Sequence, residues 1–109
     1  GYTTDTLGCK GIVYTREQEI ATGYPATKEG QEAFLRDLIA TVRRVEAGRG
    51  LGVFYWEPAW LPIPGCTWAS ESGSRYMRDK VEAGNAMANQ ALFDEAGNAN
   101  PALLHLDDM

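Results

Sequence analysis

The sequence predicts an α/β fold, in which this chain contributes one helix–strand step of a parallel sheet. Residues 27–47 place apolar side chains at the helical period of 3.6. A Gly-Arg-Gly turn follows at residues 48–50, and residues 51–56 then read LGVFYW, which is apolar on both faces. A helix, a short glycine turn and a doubly buried strand are typical of a parallel sheet covered by helices.

The predicted helix carries signals at both ends. Thr27 is a suitable N-cap, and Glu29 and Glu32 lie in the first turns, where the helix dipole favours negative charge. Gly48 or Gly50 ends the helix. We expect a buried stripe and an opposite, solvated charged face. The stripe consists of Phe34, Leu35, Leu38, Ile39, Val42 and Val45.

The strand predicted at residues 51–56 needs neighbours that this chain does not offer. The other strand candidate, Ile12 to Tyr14, is only three residues long. A strand buried on both faces requires partners for the backbone groups along both of its edges. The pattern therefore indicates a piece of a larger sheet.

The remaining elements are short or irregular. Glycine and proline mark loops at residues 15–26 and 60–74, with a short helical turn near residues 16–20. Residues 75–91 can form a helix, residues 96–98 form a turn, and residues 101–106 begin a last short helix.

Composition excludes several classes of protein. The chain has 109 residues, 44% of them hydrophobic, which fits one ordered domain over residues 1–109. The net charge is −5 and the basic residues are scattered, so we expect no nucleic-acid partner. No apolar run reaches transmembrane length, and we expect no membrane partner.

The two cysteines, Cys9 and Cys66, are far apart and lack the CxxC spacing of a zinc site. The one histidine, His105, is too little to complete a Cys/His site. Two interpretations of the cysteines remain: two free buried thiols, or one disulfide formed in an oxidising compartment.

The stretch Trp56-Glu57-Pro58-Ala59-Trp60 follows the predicted strand directly. In (β/α)₈ enzymes the active site lies at the C-terminal ends of the strands. Aromatic faces there can stack on the C–H faces of sugars while carboxylates bind hydroxyl groups. The alternative is that Trp56 and Trp60 only fill the core at the strand end.

The segment GLGVFYWEPAW, the WAS segment after a proline-containing loop, GNAMANQALFD and the PALL end together resemble the C-terminus of glycoside hydrolase family 53. The similarity is closest over residues 50–60 and 85–104, and YPAT, EGQ and AFL in the predicted helix also fit. This family consists of secreted endo-β-1,4-galactanases that act on the galactan side chains of pectin. The resemblance implies that residues 1–109 are a C-terminal part, about the last two βα units, of one TIM (β/α)₈ catalytic domain.

The resemblance also implies roles for individual residues. The retaining mechanism uses two glutamates, an acid/base and a nucleophile. Gly1-Tyr2 matches the last two positions of the nucleophile motif, so both catalytic glutamates are expected outside this chain, and none of its residues is expected to be catalytic. Trp56 matches an aromatic platform under the sugar, and Glu57 a family position with a structural or hydrogen-bonding role. The further predicted substrate-binding residues are Tyr2, Asp5, Trp60 and Trp68.

Some family members bind calcium between the loops after strands seven and eight. The first of these loops offers only Asp5 and threonines here, so we expect no metal and no cofactor. Cys9 and Cys66 fall one in each of these loops, and we expect a disulfide to join them. Such a link contributes about 4 kcal/mol in the chain-entropy treatment. Titration of the denatured, oxidised protein should find no free thiol, and two reactive thiols would contradict the disulfide.

Three functions follow from these observations. The first is the wall of the sugar cleft in a secreted galactanase, whose partners are β-1,4-galactan and the remainder of the barrel, with no activity in this chain alone. The second is a non-catalytic carbohydrate-binding or interaction module that keeps the aromatic rim. The third is a related barrel glycosidase that acts on another polysaccharide.

Overall fold

The structure, a computed structural model, describes residues 1–5, 11–13, 15–61, 71–78 and 88–109. Over these residues the chain forms helices joined by irregular segments. The α-helices are α1 (Arg16–Thr22), α2 (Lys28–Arg43), α3 (Glu71–Met77) and α4 (Pro101–Leu104). Single 3₁₀ turns occur at Glu46–Gly48, Ala88–Gln90 and Leu106–Asp108.

Helix α2 begins where the sequence predicts but ends earlier. Thr27 is the N-cap, and its hydroxyl accepts a hydrogen bond from the Gly30 N–H at 3.0 Å. The helix stops at Arg43 instead of residue 47, because Val45 leaves helical geometry with ψ 129°. The chain then folds back until Gly50 lies against the end of the helix. A Cβ at Gly50 would lie 2.7 Å from the Val42 carbonyl carbon, so only glycine fits there.

The short helix expected near residues 16–20 is confirmed as α1. Thr15 and Gln18 form a capping box: the Gln18 N–H donates to the Thr15 hydroxyl at 3.3 Å, and the Thr15 N–H donates to Gln18 Oε1 at 3.2 Å. Gly23 closes the helix in the left-handed region, with φ 80°.

The strand predicted at residues 51–56 is wrong for this chain by itself. The described residues contain no β-strand, and their only bridge is an isolated antiparallel pair, Phe93 with Ala99. Leu51 and Phe54 were predicted to be buried, yet they are 93% and 105% exposed. The physical reason is that a strand needs hydrogen-bonding partners along its edges, and none is present in the described part of the chain.

The other predicted elements are partly confirmed. Helix α3 begins at Glu71, inside the loop predicted to reach residue 74, and the helix predicted over residues 75–91 is observed only as far as Met77. Residues 79–87 lie outside the described residues. The predicted turn at residues 96–98 is confirmed, and the last helix begins at Pro101 as predicted.

The core lies where α2 packs on α4 and the C-terminal residues. Its buried apolar side chains are Leu35, Leu92, Ala102 and Met109, with Leu38, Ile39, Tyr55, Phe93 and Leu103 packed against them. Phe34 and Val45, at either end of the predicted stripe, are 46% and 45% exposed. Among the described helices, none has the length and apolarity needed to cross a bilayer.

Two buried amides lock this packing. Gln31 of α2 donates from Nε2 to the Ala91 carbonyl at 2.9 Å, and its Oε1 accepts from Asn100 Nδ2 at 3.1 Å. Gln31 is 5% exposed and Asn100 is fully buried. Because an unpaired buried polar group is costly, these bonds help to fix how α2 sits against residues 91–100.

Candidate functional site

Five of the six predicted substrate-binding residues lie in two described segments, residues 1–5 and residues 56–60. Tyr2 belongs to the first and is 3% exposed. Its N–H donates to the Asn89 carbonyl at 2.7 Å, which fixes its backbone. In the same segment the Asp5 N–H donates to the Thr3 hydroxyl at 3.0 Å, in a local turn.

The Tyr2 phenol is held neutral. Burial raises its pKa to about 12, and the negative charges of Glu95 and Asp94 add to the effect. Its hydroxyl is buried and has no hydrogen-bond partner among the described residues. A neutral phenol of this kind can donate a hydrogen bond but cannot serve as a base near neutral pH.

Trp56 begins the second segment and is 72% exposed. Its carbonyl accepts a hydrogen bond from Gln90 Nε2 at 3.0 Å, so the backbone is fixed while the indole remains open. A flat, open aromatic face on a fixed backbone is suited to stacking on a sugar ring.

Glu57 follows in the left-handed region, with φ 53°, which is uncommon for a residue other than glycine. Its carbonyl accepts from the Trp60 N–H at 3.3 Å, closing a turn. The Glu57 side chain is exposed and makes no hydrogen bond or ion pair with a described residue. Trp60 is half-buried. The turn therefore leaves the exposed Glu57 carboxylate without a partner among the described residues.

An apolar cleft of about 510 Å³ lies between α2 and the segment that ends at Trp56. Phe34, Leu35 and Leu38 line it from α2, and Phe54 lines it from the other segment. Gly1 and Ile12 also line it, so both predicted site segments border the same cleft. Its lining is mainly apolar, which suits a packed segment of protein better than a sugar with its many hydroxyl groups.

Three predicted site residues, Cys9, Cys66 and Trp68, lie outside the described residues. The disulfide between Cys9 and Cys66 and the sugar-binding role of Trp68 stay predictions.

Two described carboxylates have shifted pKa values, and both shifts are downward. Lys28 and the amides of Asn98 lower the pKa of Asp94 to about 2, and Arg36 and His105 lower the pKa of Glu32. A general acid in a glycosidase requires the opposite shift. Asp94 and Glu32 are therefore structural ion-pair partners and not candidates for acid/base catalysis.

Over the described residues, no three His, Cys, Asp or Glu side chains come together as a metal site. The absence of a cofactor remains a prediction.

Three buried amides of the fold, Gln31, Asn89 and Asn100, were not predicted from the sequence. Asn89 and Asn100 are both fully buried, and each makes hydrogen bonds across long sequence separations. Single polar residues in a glycine- and asparagine-rich stretch look like turn formers. The available signal was that Asn89 and Asn100 lie within residues 85–104 and Gln31 within EGQ, segments that carry the family resemblance.

Comparison with known proteins gives a consistent result. The model of the family described as "Glycosyl hydrolase family 53" matches residues 1–106. The chain is 37% identical to the Endo-beta-1,4-galactanase of Bacillus subtilis (strain 168), over 73% of this chain and 23% of that protein. It is 46% identical to the Probable arabinogalactan endo-beta-1,4-galactanase A of Aspergillus tubingensis, over 54% of this chain and 16% of that protein.

A solved structure agrees with these relatives. The Ignisphaera aggregans GH53 catalytic domain superposes with a TM-score of 0.69 and 38% identity, over 91% of this chain and 24% of that one. The chain thus spans less than a quarter of the length of each of these three proteins.

Proposed function

Because this chain belongs to glycosyl hydrolase family 53, we propose that it forms the C-terminal part of a retaining glycosidase that cleaves β-1,4-galactan. The observation that carries the proposal is the match over residues 1–106, together with two relatives that are themselves named galactanases. The activity belongs to the full-length protein, and this chain forms one wall of its sugar cleft.

The exposed apolar surface supports a role as part of a (β/α)₈ barrel. Leu51, Phe54 and Trp56 are strongly exposed in the segment proposed as the eighth strand, and α2 takes the place of the seventh helix. Large apolar side chains exposed in one segment mark a surface that another part of a protein covers. The proposed cover is the remainder of the barrel.

The apolar cleft beside α2 supports the same arrangement. In a barrel, the strand before α2 lies beside the eighth strand with helices covering both, and we propose that this strand fills the cleft lined by Phe34 and Phe54. Gly1 lines the cleft as well. We place the seventh strand there, with the nucleophile at its end, immediately before Gly1.

The chemistry proposed for the site divides between this chain and the rest of the barrel. The two catalytic glutamates, which protonate the leaving oxygen and form the glycosyl-enzyme, lie outside this chain. Trp56 stacks under the sugar, and Glu57 accepts hydrogen bonds from its hydroxyls. Tyr2, Asp5, Trp60 and Trp68 complete the wall. The enzyme is secreted, acts on the galactan of pectin, and uses no metal or other cofactor.

The test is a substrate panel with the full-length protein. We expect hydrolysis of β-1,4-galactan with retention of configuration, and little hydrolysis of arabinan, xylan or mannan. Preference for another glycan would overturn the galactan assignment, and inactivity on all four, with sugar binding retained, would indicate a binding module.

A variant of Trp56 tests its role in substrate binding. Trp56→Ala should lower kcat/KM on galactan, because the stacking surface is lost. Tyr76→Ala is the matched control, since Tyr76 is also an open aromatic, 87% exposed, on α3. Equal activities of the two variants would contradict the role of Trp56.

A further inference from the structure

The Asn89 side chain is fully buried, and both its Oδ1 and its Nδ2 make hydrogen bonds. Its Oδ1 accepts from the Ile12 N–H at 2.7 Å, and its Nδ2 donates to the Ile12 carbonyl at 2.8 Å and to the Thr3 carbonyl at 3.1 Å. The Asn89 carbonyl also accepts from the Tyr2 N–H at 2.7 Å. One residue therefore holds both described parts of the N-terminal loop, residues 1–5 and 11–13.

The neighbours of Asn89 hold the other side of the site. Gln90 Nε2 donates to the Trp56 carbonyl at 3.0 Å, and the Leu92 N–H donates to the Pro58 carbonyl at 2.7 Å. Residues 88–92 thus connect the N-terminal loop to residues 56–58. These are the two segments that carry Tyr2 and Trp56, and the connection fixes the distance between them.

The amide of Asn89 fits in one orientation only. Turning it over would bring Oδ1 against the Thr3 and Ile12 carbonyls and leave the Ile12 N–H without an acceptor, which is costly in a buried position. Gly1 also packs closely against this amide. A Cβ at Gly1 would lie 2.7 Å from Asn89 Cγ, so the Gly1 backbone rests directly on this amide.

We propose that Asn89 is a positioning residue, which sets the place of the chain at Gly1 relative to the Trp56 wall. The inference rests on the proposed function, in which the nucleophile precedes Gly1. Asn89 itself touches neither the sugar nor the reacting atoms. It acts through the backbone of residues 1–3 and 12, and small displacements of a reacting group lower the rate of the chemical step more than they weaken binding.

The experiment compares Asn89→Ala with Asn100→Ala in the full-length protein. Asn100 is the matched control, because it is also a fully buried amide, but its Nδ2 bonds join Gln31 Oε1 and the Ala91 carbonyl, away from the N-terminal loop. Both variants should melt at lower temperatures. Assayed well below both melting temperatures, Asn89→Ala should lose kcat on galactan about tenfold or more with little change in KM, and Asn100→Ala should keep it.

A second measurement does not depend on activity. Hydrogen exchange at the Ile12 amide should be about fivefold faster or more in Asn89→Ala, where its acceptor is lost, and unchanged in Asn100→Ala. Equal losses of kcat in the two variants, or a wild-type kcat in Asn89→Ala, would overturn the positioning role. Inactivity of the wild-type enzyme on galactan would instead overturn the proposed function, while the exchange at Ile12 still reports whether Asn89 holds the loop.

Discussion

At the scale of single residues, the Asp94 carboxylate shows how a polar side chain shapes this fold. It accepts hydrogen bonds from Lys28 Nζ at 2.9 Å, the Asn98 N–H at 2.9 Å and the Ala96 N–H at 3.1 Å. The turn at residues 94–98 is thereby joined to the first turn of α2. These partners, Lys28 foremost, hold the pKa of Asp94 at about 2.

We predict that Asp94 makes the stability of the full-length protein depend on pH. Because its folded pKa lies below the ordinary 3.8, the ionised carboxylate stabilises the fold above that pH, and this contribution is lost as the pH falls from 3.8 through about 2. Unfolding in denaturant should show Asp94→Asn to be less stable than the wild type at pH 6 and nearly equal to it at pH 2. Glu95→Gln, at the exposed neighbouring position, is the control. A wild-type-to-Asp94→Asn difference that does not change with pH would contradict the prediction.

The backbone at Glu57 gives a second prediction at this scale. Its φ of 53° disfavours any residue with a Cβ, by about 1 kcal/mol. Glu57→Gly should therefore be more stable than Glu57→Ala, by chemical denaturation of the full-length protein. The control is Glu29 in α2, where the order should reverse because glycine costs about 1 kcal/mol in a helix. A Glu57→Ala variant as stable as Glu57→Gly, or more stable, would show that Glu57 is not strained.

At the scale of elements, helix α2 is the one that the sequence predicted best. Thr27, the acidic first turn and the apolar stripe are local signals, and local signals determine where a helix begins. The end at Arg43 was missed because it depends on the chain folding back at Gly50, which is a tertiary contact.

Gly30 near the start of α2 provides a test of such contacts. Replacing glycine by alanine inside a helix usually stabilises it by about 1 kcal/mol. Here a Cβ would lie 2.9 Å from the Pro25 carbonyl carbon, so Gly30→Ala should destabilise the protein. Ala33→Gly, at an exposed position of the same helix, measures the ordinary propensity effect. The measurement is the melting temperature of each variant. A melting temperature of Gly30→Ala above that of the wild type would contradict the close packing.

At the scale of the whole molecule, the chain has a small core and a large exposed apolar surface. The core beneath α2 is well packed, but Leu51, Phe54 and Trp56 face solvent. The absence of strand partners in the described part of the chain explains this imbalance. We propose that other parts of a longer protein cover this apolar surface.

We predict that the isolated 109-residue chain does not hydrolyse galactan, because both catalytic glutamates are proposed to lie outside it. Its exposed apolar segment should also bind a hydrophobic dye such as ANS. Release of reducing ends from galactan measures the activity, and the full-length protein is the control for both readouts. Galactan cleavage by the purified chain would refute the prediction.

The sequence by itself determined the family resemblance, the position of α2, the turn at residues 96–98 and the start of the last helix. These depend on short-range patterns such as caps, periodicity and turn residues. Only the tertiary structure decided that Leu51, Phe54 and Trp56 are exposed here and that Tyr2 is buried. It also decided that Asn89 joins residues 3 and 12 and that Gln31 joins α2 to residues 91–100. The reason is physical: burial and hydrogen bonds between distant residues depend on which partners are present, and no local pattern records them.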